Sequence, residues 1–281
     1  MSWAGDADLA IALAEIADRT VEWPALGRVD LGPIRLVLVP NDEEFSRVAG
    51  GRVPDWGAGL AFPRSGTIVL RADDQAVQET LRHEMAHLAL HRMVEGRVPL
   101  WFDEGYAGWA AGEFGRLDGW GLNVVVIRRR VPSFGELDAA LRGSSFTAGT
   151  AYALAITAVL ELARRNPTET LEPLFDRLRS GYGFEAAVIA TTGYTPDGFE
   201  LVWQKSVRRR YGLLTWLTAG GMWLVLAGIV MVGYWHRRRR DRPRRAALDY
   251  GWDISEWQRG AASSGEEGTS VPQEGQPGPD E

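Results

Sequence analysis

Cysteine is absent from the 281 residues. That excludes a disulfide framework and any thiolate metal site, so a metal ion in this chain would need histidine and carboxylate ligands. Histidine is scarce as well: there are four, and three of them fall between positions 83 and 91. A global excess of positive charge is also missing. The net charge of −6 offers no basic field to a phosphate backbone, so no nucleic-acid partner is expected. At the start, Met1-Ser2-Trp3-Ala4-Gly5-Asp6 shows neither the basic stretch nor the apolar run of a secretory signal. The rest of the composition is ordinary, and 45% hydrophobic with 24% charged residues suits a domain with a real core.

Charge is missing from one further place. Tyr211 to Trp235 contains no charged residue, and Leu213 to Val232 is almost wholly apolar or small. At ~1.5 Å per residue, about twenty such residues cover the ~30 Å hydrocarbon layer of a bilayer. Tyr234 and Trp235 stand where an interfacial aromatic belt would sit. A single transmembrane helix at 211–235 is therefore expected. Arg237 to Arg240, Arg242, Arg244 and Arg245 outweigh Lys205 and Arg208 to Arg210 before the span. That bias puts the C-terminal side in the cytoplasm and residues 1–210 outside; either a signal lies upstream of Met1 or the domain is cytoplasmic, and the upstream signal is favoured. Residues 236–281 begin as a basic juxtamembrane segment and end in a Gly-, Ser-, Glu-, Pro- and Gln-rich tail with too little apolar surface to fold.

Within 1–210, periodicity predicts a helix over Asp8 to Val21, then a strand at Ile34 to Val39 stopped by Pro40 and Asn41. Asn41 or Asp42 caps a short helix ending near Val48. Gly50 to Gly59 reads as a loop and Thr67 to Arg71 as a second strand. Asp73 or Asp74 is expected to cap a long helix running to about His91, and another helix is expected from Asp103 to about Gly112. Helical spacing recurs at Ala151–Arg164, Thr170–Leu178, Phe184–Thr191 and Asp197–Arg209. Strands first and helices afterwards suggest an α+β domain, with a small N-terminal sheet and a mainly helical C-terminal part.

The predicted long helix contains His83-Glu84-Met85-Ala86-His87, an H-E-x-x-H sequence. Residues four apart share a helix face, so both imidazoles can reach one metal ion while Glu84 points at water beside it. H-E-x-x-H alone is a short pattern that also arises by chance. Catalytic zinc typically takes three protein ligands and keeps one position open. Downstream, Trp101-Phe102-Asp103-Glu104-Gly105-Tyr106-Ala107 follows a possible chain reversal at Gly96 and Pro99. Glu104 can supply the third ligand from the next helix. Asp103 is a candidate to hydrogen-bond a ligand imidazole, and His91 is read as either such a supporting group or plain helix surface.

H-E-x-x-H followed by W-x-x-E-G-x-A resembles the gluzincins, the zinc metallopeptidase group that includes thermolysin and the aminopeptidase-N type. In size the chain is similar to the short peptidase MA-like domains of bacterial membrane proteins. The resemblance covers about residues 30–210, with its specific part at 67–107. It implies a zincin-like fold, one Zn2+ held by His83, His87 and Glu104, and Glu84 as general base and acid. It further implies Thr67–Arg71 as the edge strand above the site, available to an extended peptide. Related enzymes place an oxyanion donor on a helix after the glutamate helix. Tyr152 is the candidate here and Tyr106 a weaker one.

Two departures narrow the expectation. The G-x-M-E-N motif that holds a substrate's free amine in aminopeptidases is not found, and Gly57-Ala58-Gly59-Leu60-Ala61-Phe62 lies in that region without an acid. The metzincin pattern fails at Leu90 and Met93. The leading expectation is therefore a membrane-anchored zinc endopeptidase of a bacterial cell membrane, with its catalytic domain extracytoplasmic and a peptide or protein as substrate. The alternative is an inert membrane-tethered module in which zinc stabilises a peptide-binding groove. Gly220, Gly221, Ala227 and Gly228 are a weak signal for helix pairing and leave the oligomeric state open.

Overall fold

The computed structural model describes residues 7–19, 21–50, 57–113, 131–143, 145–211 and 221–250, apart from the side chains of 145–148 and 241–250. The chain divides into two compact units, Met1–Thr218 and Ala219–Glu281. Among the described residues, the first unit is mostly helical with two small sheets.

It opens with α1 (Ala7–Ala17), followed by a hairpin of β1 (Glu22–Trp23) and β2 (Gly27–Arg28). Next come β3 (Arg35–Val39), α2 (Asp42–Ala49), β4 (Gly59–Phe62) and β5 (Thr67–Arg71). Sheet order is β3-β5-β4, with β3 parallel to β5 from Arg35↔Thr67 to Val39↔Arg71. β4 runs antiparallel to β5, from Gly59↔Leu70 to Phe62↔Thr67. A central strand must bury both faces, and β5 does so with the β-branched and aliphatic run Ile68-Val69-Leu70. Ile68 and Leu70 join the main core with Leu81, Met85 and Leu88, whereas Val69 packs with Val39 and Phe45 of α2. α2 starts where expected: the Asn41 side chain accepts from the Glu44 amide, and the helix ends at Gly50.

Thr67–Arg71 was expected to form the edge of the sheet, but it is the middle strand. Among the described residues the sheet edge on the helical side is β4, whose first residue, Gly59, was read as the end of a loop and whose other three were assigned to no element. Gly59-Leu60-Ala61-Phe62 is short and half glycine and alanine, so its β signal is weak; its strand character comes from pairing with β5.

The helical part consists of α3 (Val77–Met93), α4 (Leu100–Ala111), α5 (Phe134–Leu141), α6 (Ser145–Arg165), α7 (Glu172–Arg179), α8 (Phe184–Thr192) and α9 (Pro196–Arg210). α4 begins at Leu100, earlier than the predicted Asp103. Its N-cap, Pro99, makes no side-chain cap bond; instead the Trp101 amide donates to Asp138 Oδ1 of α5 at 2.8 Å. Helix α5 escaped the sequence reading although Ser133-Phe134-Gly135-Glu136 is a complete capping box. The Trp101 ring stacks on Phe134 at 4.2 Å, and Phe102, Phe175, Phe184, Phe199 and Trp203 extend this aromatic cluster across α7, α8 and α9. On the far side of the bundle, buried Glu161 of α6 accepts from Arg165 at 2.7 Å and from the Ser206 hydroxyl of α9 at 2.8 Å.

The second unit contains α10 (Met222–Tyr250). Its apolar part ends at Trp235 and is followed by His236 and then Arg237 to Arg240. The described apolar part, Met222 to Trp235, gains about 21 Å at ~1.5 Å per residue, against the ~30 Å of the hydrocarbon layer. No helix among the described residues is long and apolar enough to cross a membrane. The expected fold class, an α+β domain followed by a single transmembrane helix, is therefore corrected to a mostly helical chain with small sheets. The span assigned to 211–235 drew much of its length from residues 212–220, which lie outside the described residues.

α4 and α6 approach unusually closely. A Cβ built on Gly105 would meet the Ala155 carbonyl oxygen at 2.5 Å and Val159 Cγ2 at 2.8 Å. Backbone on one side leaves little room to yield. Glycine to alanine inside a helix ordinarily stabilises by ~0.5–1 kcal/mol. Gly105→Ala is expected to reverse the sign and cost about 2 kcal/mol, through overpacking of this contact. A urea titration measures it as a lowered midpoint.

Candidate metal centre

α3 carries the first half of the site. Leu81, Met85, Ala86, Leu88 and Ala89 seat the helix in the core, and His83, Glu84 and His87 turn toward a cleft of about 730 Å3. Asp74 organises the helix start from outside it, accepting from the Ala76 amide at 3.1 Å and the Thr80 hydroxyl at 2.6 Å. Asp73, the other expected cap, pairs with Arg71 instead.

α4 carries the second half. His83 Nε2 and His87 Nε2 lie 3.3 and 3.6 Å from the same oxygen, Glu104 Oε2. One donor atom from each of the three residues falls within 4.8 Å of the others. The far nitrogens are also engaged. His83 Nδ1 is 2.9 Å from Glu113 Oε1, and His87 Nδ1 is 2.7 Å from Asp103 Oδ1. The other Asp103 oxygen meets His91 Nε2 at 2.8 Å. His87, His91 and Asp103 are also close enough to hold an ion, but their near atoms already hydrogen-bond one another, so they form a chain rather than an open site.

The expected residues are thus brought together: His83, His87 and Glu104 converge, Glu84 lines the same cleft, and Asp103 supports His87. His91, left between a supporting role and plain surface, buttresses Asp103. Tyr152 of α6 enters the cleft with its ring 6.1 Å from that of His83, edge-on. Tyr106 does not reach it. That side chain is fully buried, and its hydroxyl donates to the Pro24 carbonyl at 3.0 Å, fastening the β1-β2 hairpin to α4. Glu113 was missed. It lies beyond the W-x-x-E-G-x-A segment, and only Gly112, a helix-ending glycine, hints that the chain turns there.

β4 closes the cleft against Glu84. A Cβ on Gly59 would stand 2.7 Å from Glu84 Oε1 and 2.6 Å from Thr80 Cγ2, so only glycine lets the strand lie this close to α3. Gly59, Leu60 and Ala61 all line the cleft.

Burial and charge together set the protonation states. Burial pulls the His83 imidazole down, but the hydrogen bonds it donates to the Glu104 and Glu113 carboxylates overcome it and raise its pKa to about 10. His87 is likewise raised against its burial, mainly by Asp103 and Glu104. Burial would raise Glu104, yet the two imidazoles bring it down to about 2, and Asp103 falls well below the usual range for similar reasons. Glu84 moves the other way, raised by burial with only partial relief from His87 and His83. Tyr152 is raised by burial and then by the Glu104 and Glu84 carboxylates. Without a metal, imidazolium charge balances the carboxylates. A divalent cation among two Nε2 atoms and a carboxylate oxygen would do the same, and this donor set fits one.

The His83–Glu104 pair has a defined pH window. Glu104 contributes stability above its ordinary value of about 4.5, lost as pH falls through about 2. His83 contributes below its ordinary value of about 6.5, lost as pH rises through about 10. In metal-free protein, the difference in thermal midpoint between wild type and Glu104→Gln should therefore be largest between about pH 4.5 and 6.5 and shrink on both sides. A difference unchanged from pH 3 to pH 10 would contradict the pairing.

Residues 45–209 match the family model of the Peptidase MA superfamily. Among curated proteins no relative matches the chain. The matched segment runs from α2 to the end of α9 and contains every residue of the cleft; it spans more than half of the sequence. A peptidase-type, hydrolytic function accompanies that family, and the chain belongs to the Peptidase MA superfamily.

Proposed function

We propose that the protein is a zinc-dependent peptidase of gluzincin type that cleaves internal peptide bonds, with His83, His87 and Glu104 as metal ligands. The observation that carries this reading is the convergence of both Nε2 atoms on one Glu104 oxygen, in the same cleft as Glu84 and beside a strand that is the sheet edge among the described residues. Bound there, Zn2+ supplies Lewis acidity that acidifies water and polarises a carbonyl.

The side chains have complementary tasks. β4 offers backbone groups to an extended peptide, which would add a strand beside it and lay its scissile bond over α3. Glu84, its pKa raised by burial, takes a proton from the attacking water as the oxygen bonds to the carbonyl carbon. It then returns that proton to the departing amide nitrogen as the C–N bond breaks. Tyr152 keeps its proton at all working pH values, so its hydroxyl can donate to the oxygen of the attacked carbonyl. No acid in Gly57–Phe62 is placed to hold a free amine, which favours internal cleavage.

A peptide library digested with and without chelator tests the reaction class. Chelator-sensitive cleavage at internal bonds is expected; intact peptides retained by zinc-loaded protein would instead make this an inert binding groove. Glu84→Gln should keep zinc and lose at least 10²-fold in kcat, whereas His83→Ala should lose both metal and activity. Retained hydrolysis in the Glu84 variant would overturn the mechanism. Tyr152→Phe should lower kcat by about 10²- to 10³-fold with little change in KM, as for loss of a transition-state donor.

A further inference from the structure

We infer that Glu113 is a positioning residue, which holds His83 in the tautomer and orientation that aim Nε2 at the metal. This rests on the reading of His83 as a ligand. The chain has a local device for the purpose. α4 ends at Gly112, whose backbone is left-handed at φ 83°, with its amide turned back to the Gly108 and Trp109 carbonyls. A side chain there would be strained, and the turn it makes sends the next residue back alongside the helix.

Glu113 then passes over Gly108. A Cβ on Gly108 would lie 3.0 Å from Glu113 Oε2 and 2.8 Å from Ile156 Cδ1, so the missing methyl group is the space the carboxylate uses. From that position Oε1 accepts the Nδ1–H of His83 at 2.9 Å. An imidazole that donates from Nδ1 keeps the lone pair on Nε2, and its ring plane is fixed by the same bond. Asp103 does this for His87 at 2.7 Å from the first turn of α4. The two histidines thus have separate anchors from opposite ends of one helix, and removal of Glu113 should act on His83 alone. The Glu113 side chain is a quarter exposed, so the carboxylate can be replaced without opening the core.

The full chain is assayed as wild type, Glu113→Ala, Glu113→Gln and Gly108→Ala. Zinc affinity is read by competition with a chromophoric chelator, and ligand geometry from the visible bands of the Co2+-substituted protein. Circular dichroism of the metal-free forms reports folding. Glu113→Ala should bind zinc about 10- to 100-fold more weakly and shift the Co2+ bands, with the metal-free fold intact. Glu113→Gln, whose amide oxygen still accepts from Nδ1, should recover most of both. Gly108→Ala should resemble Glu113→Ala by displacing the carboxylate. Wild-type affinity and unchanged Co2+ bands in folded Glu113→Ala would overturn the assignment while leaving the metal site standing. A wild-type protein that takes up no zinc would overturn both.

Discussion

Four carboxylates, Glu84, Asp103, Glu104 and Glu113, share one cleft with two buried imidazoles, and positive charge has to be kept among them. Carboxylates taken out of water are costly unless something cationic faces them. In the metal-free protein protons serve, which is why His83 and His87 are pushed up while Asp103 and Glu104 are pushed down. Glu84 is the exception. It has no hydrogen-bonded imidazole of its own, so burial dominates and raises it. The same field therefore pushes Asp103 and Glu104 down and leaves Glu84 raised, the acid that exchanges a proton in the proposed enzyme. Such a split between neighbouring titratable groups marks acid–base roles.

This charge arrangement depends on where α4 sits, and apolar packing determines that. Gly105 lets α4 lie against the α6 backbone, Trp101 stacks into the aromatic cluster, and Asp138 caps the helix start. The sheet contributes by position more than by mass. β5 buries both faces and anchors β4, and β4, through Gly59, leans on Glu84. Glu104 and β4 thus both reach α3 because packing elsewhere fixes their carriers.

Much of the site was legible in the sequence because its chemistry is local. His83, Glu84 and His87 lie within one helical turn, and the tryptophan before Glu104 and the glycine after it belong to the same short segment. Asp103 and Tyr152 could be guessed from roles such sites require. Glu113 could not, since its link to His83 depends on a turn at Gly112 and an absent methyl group at Gly108, neither of which spacing reveals. β4 was hidden for a related reason: four weak strand residues become a strand only when β5 pairs with them. α5 was different. Its capping box stood in plain view at Ser133 and Glu136, but apolar periodicity over eight residues is too brief to draw notice. The transmembrane assignment rested on an uncharged run of which 212–220 lie outside the described residues, and no described helix is long and apolar enough to cross a membrane. In α10 the apolar part stops at Trp235, and arginines follow after one more residue.

The two histidines proposed as ligands are not held equally. His87 is supported by Asp103, which belongs to the first turn of α4 and is itself gripped by His91 of α3. Two helices therefore constrain that bond from both ends. His83 is supported at Nδ1 by Glu113, just past a helix terminus, with its ring edge-on to that of Tyr152. A displacement of Glu113 at the C-terminal end of α4 therefore acts on His83, while the Asp103–His87 bond at the other end of the helix stays in place. In the proposed enzyme, the less constrained ligand is also the one beside the carbonyl-oxygen donor. A change at the end of α4 would then alter metal affinity and transition-state contact together, through one imidazole.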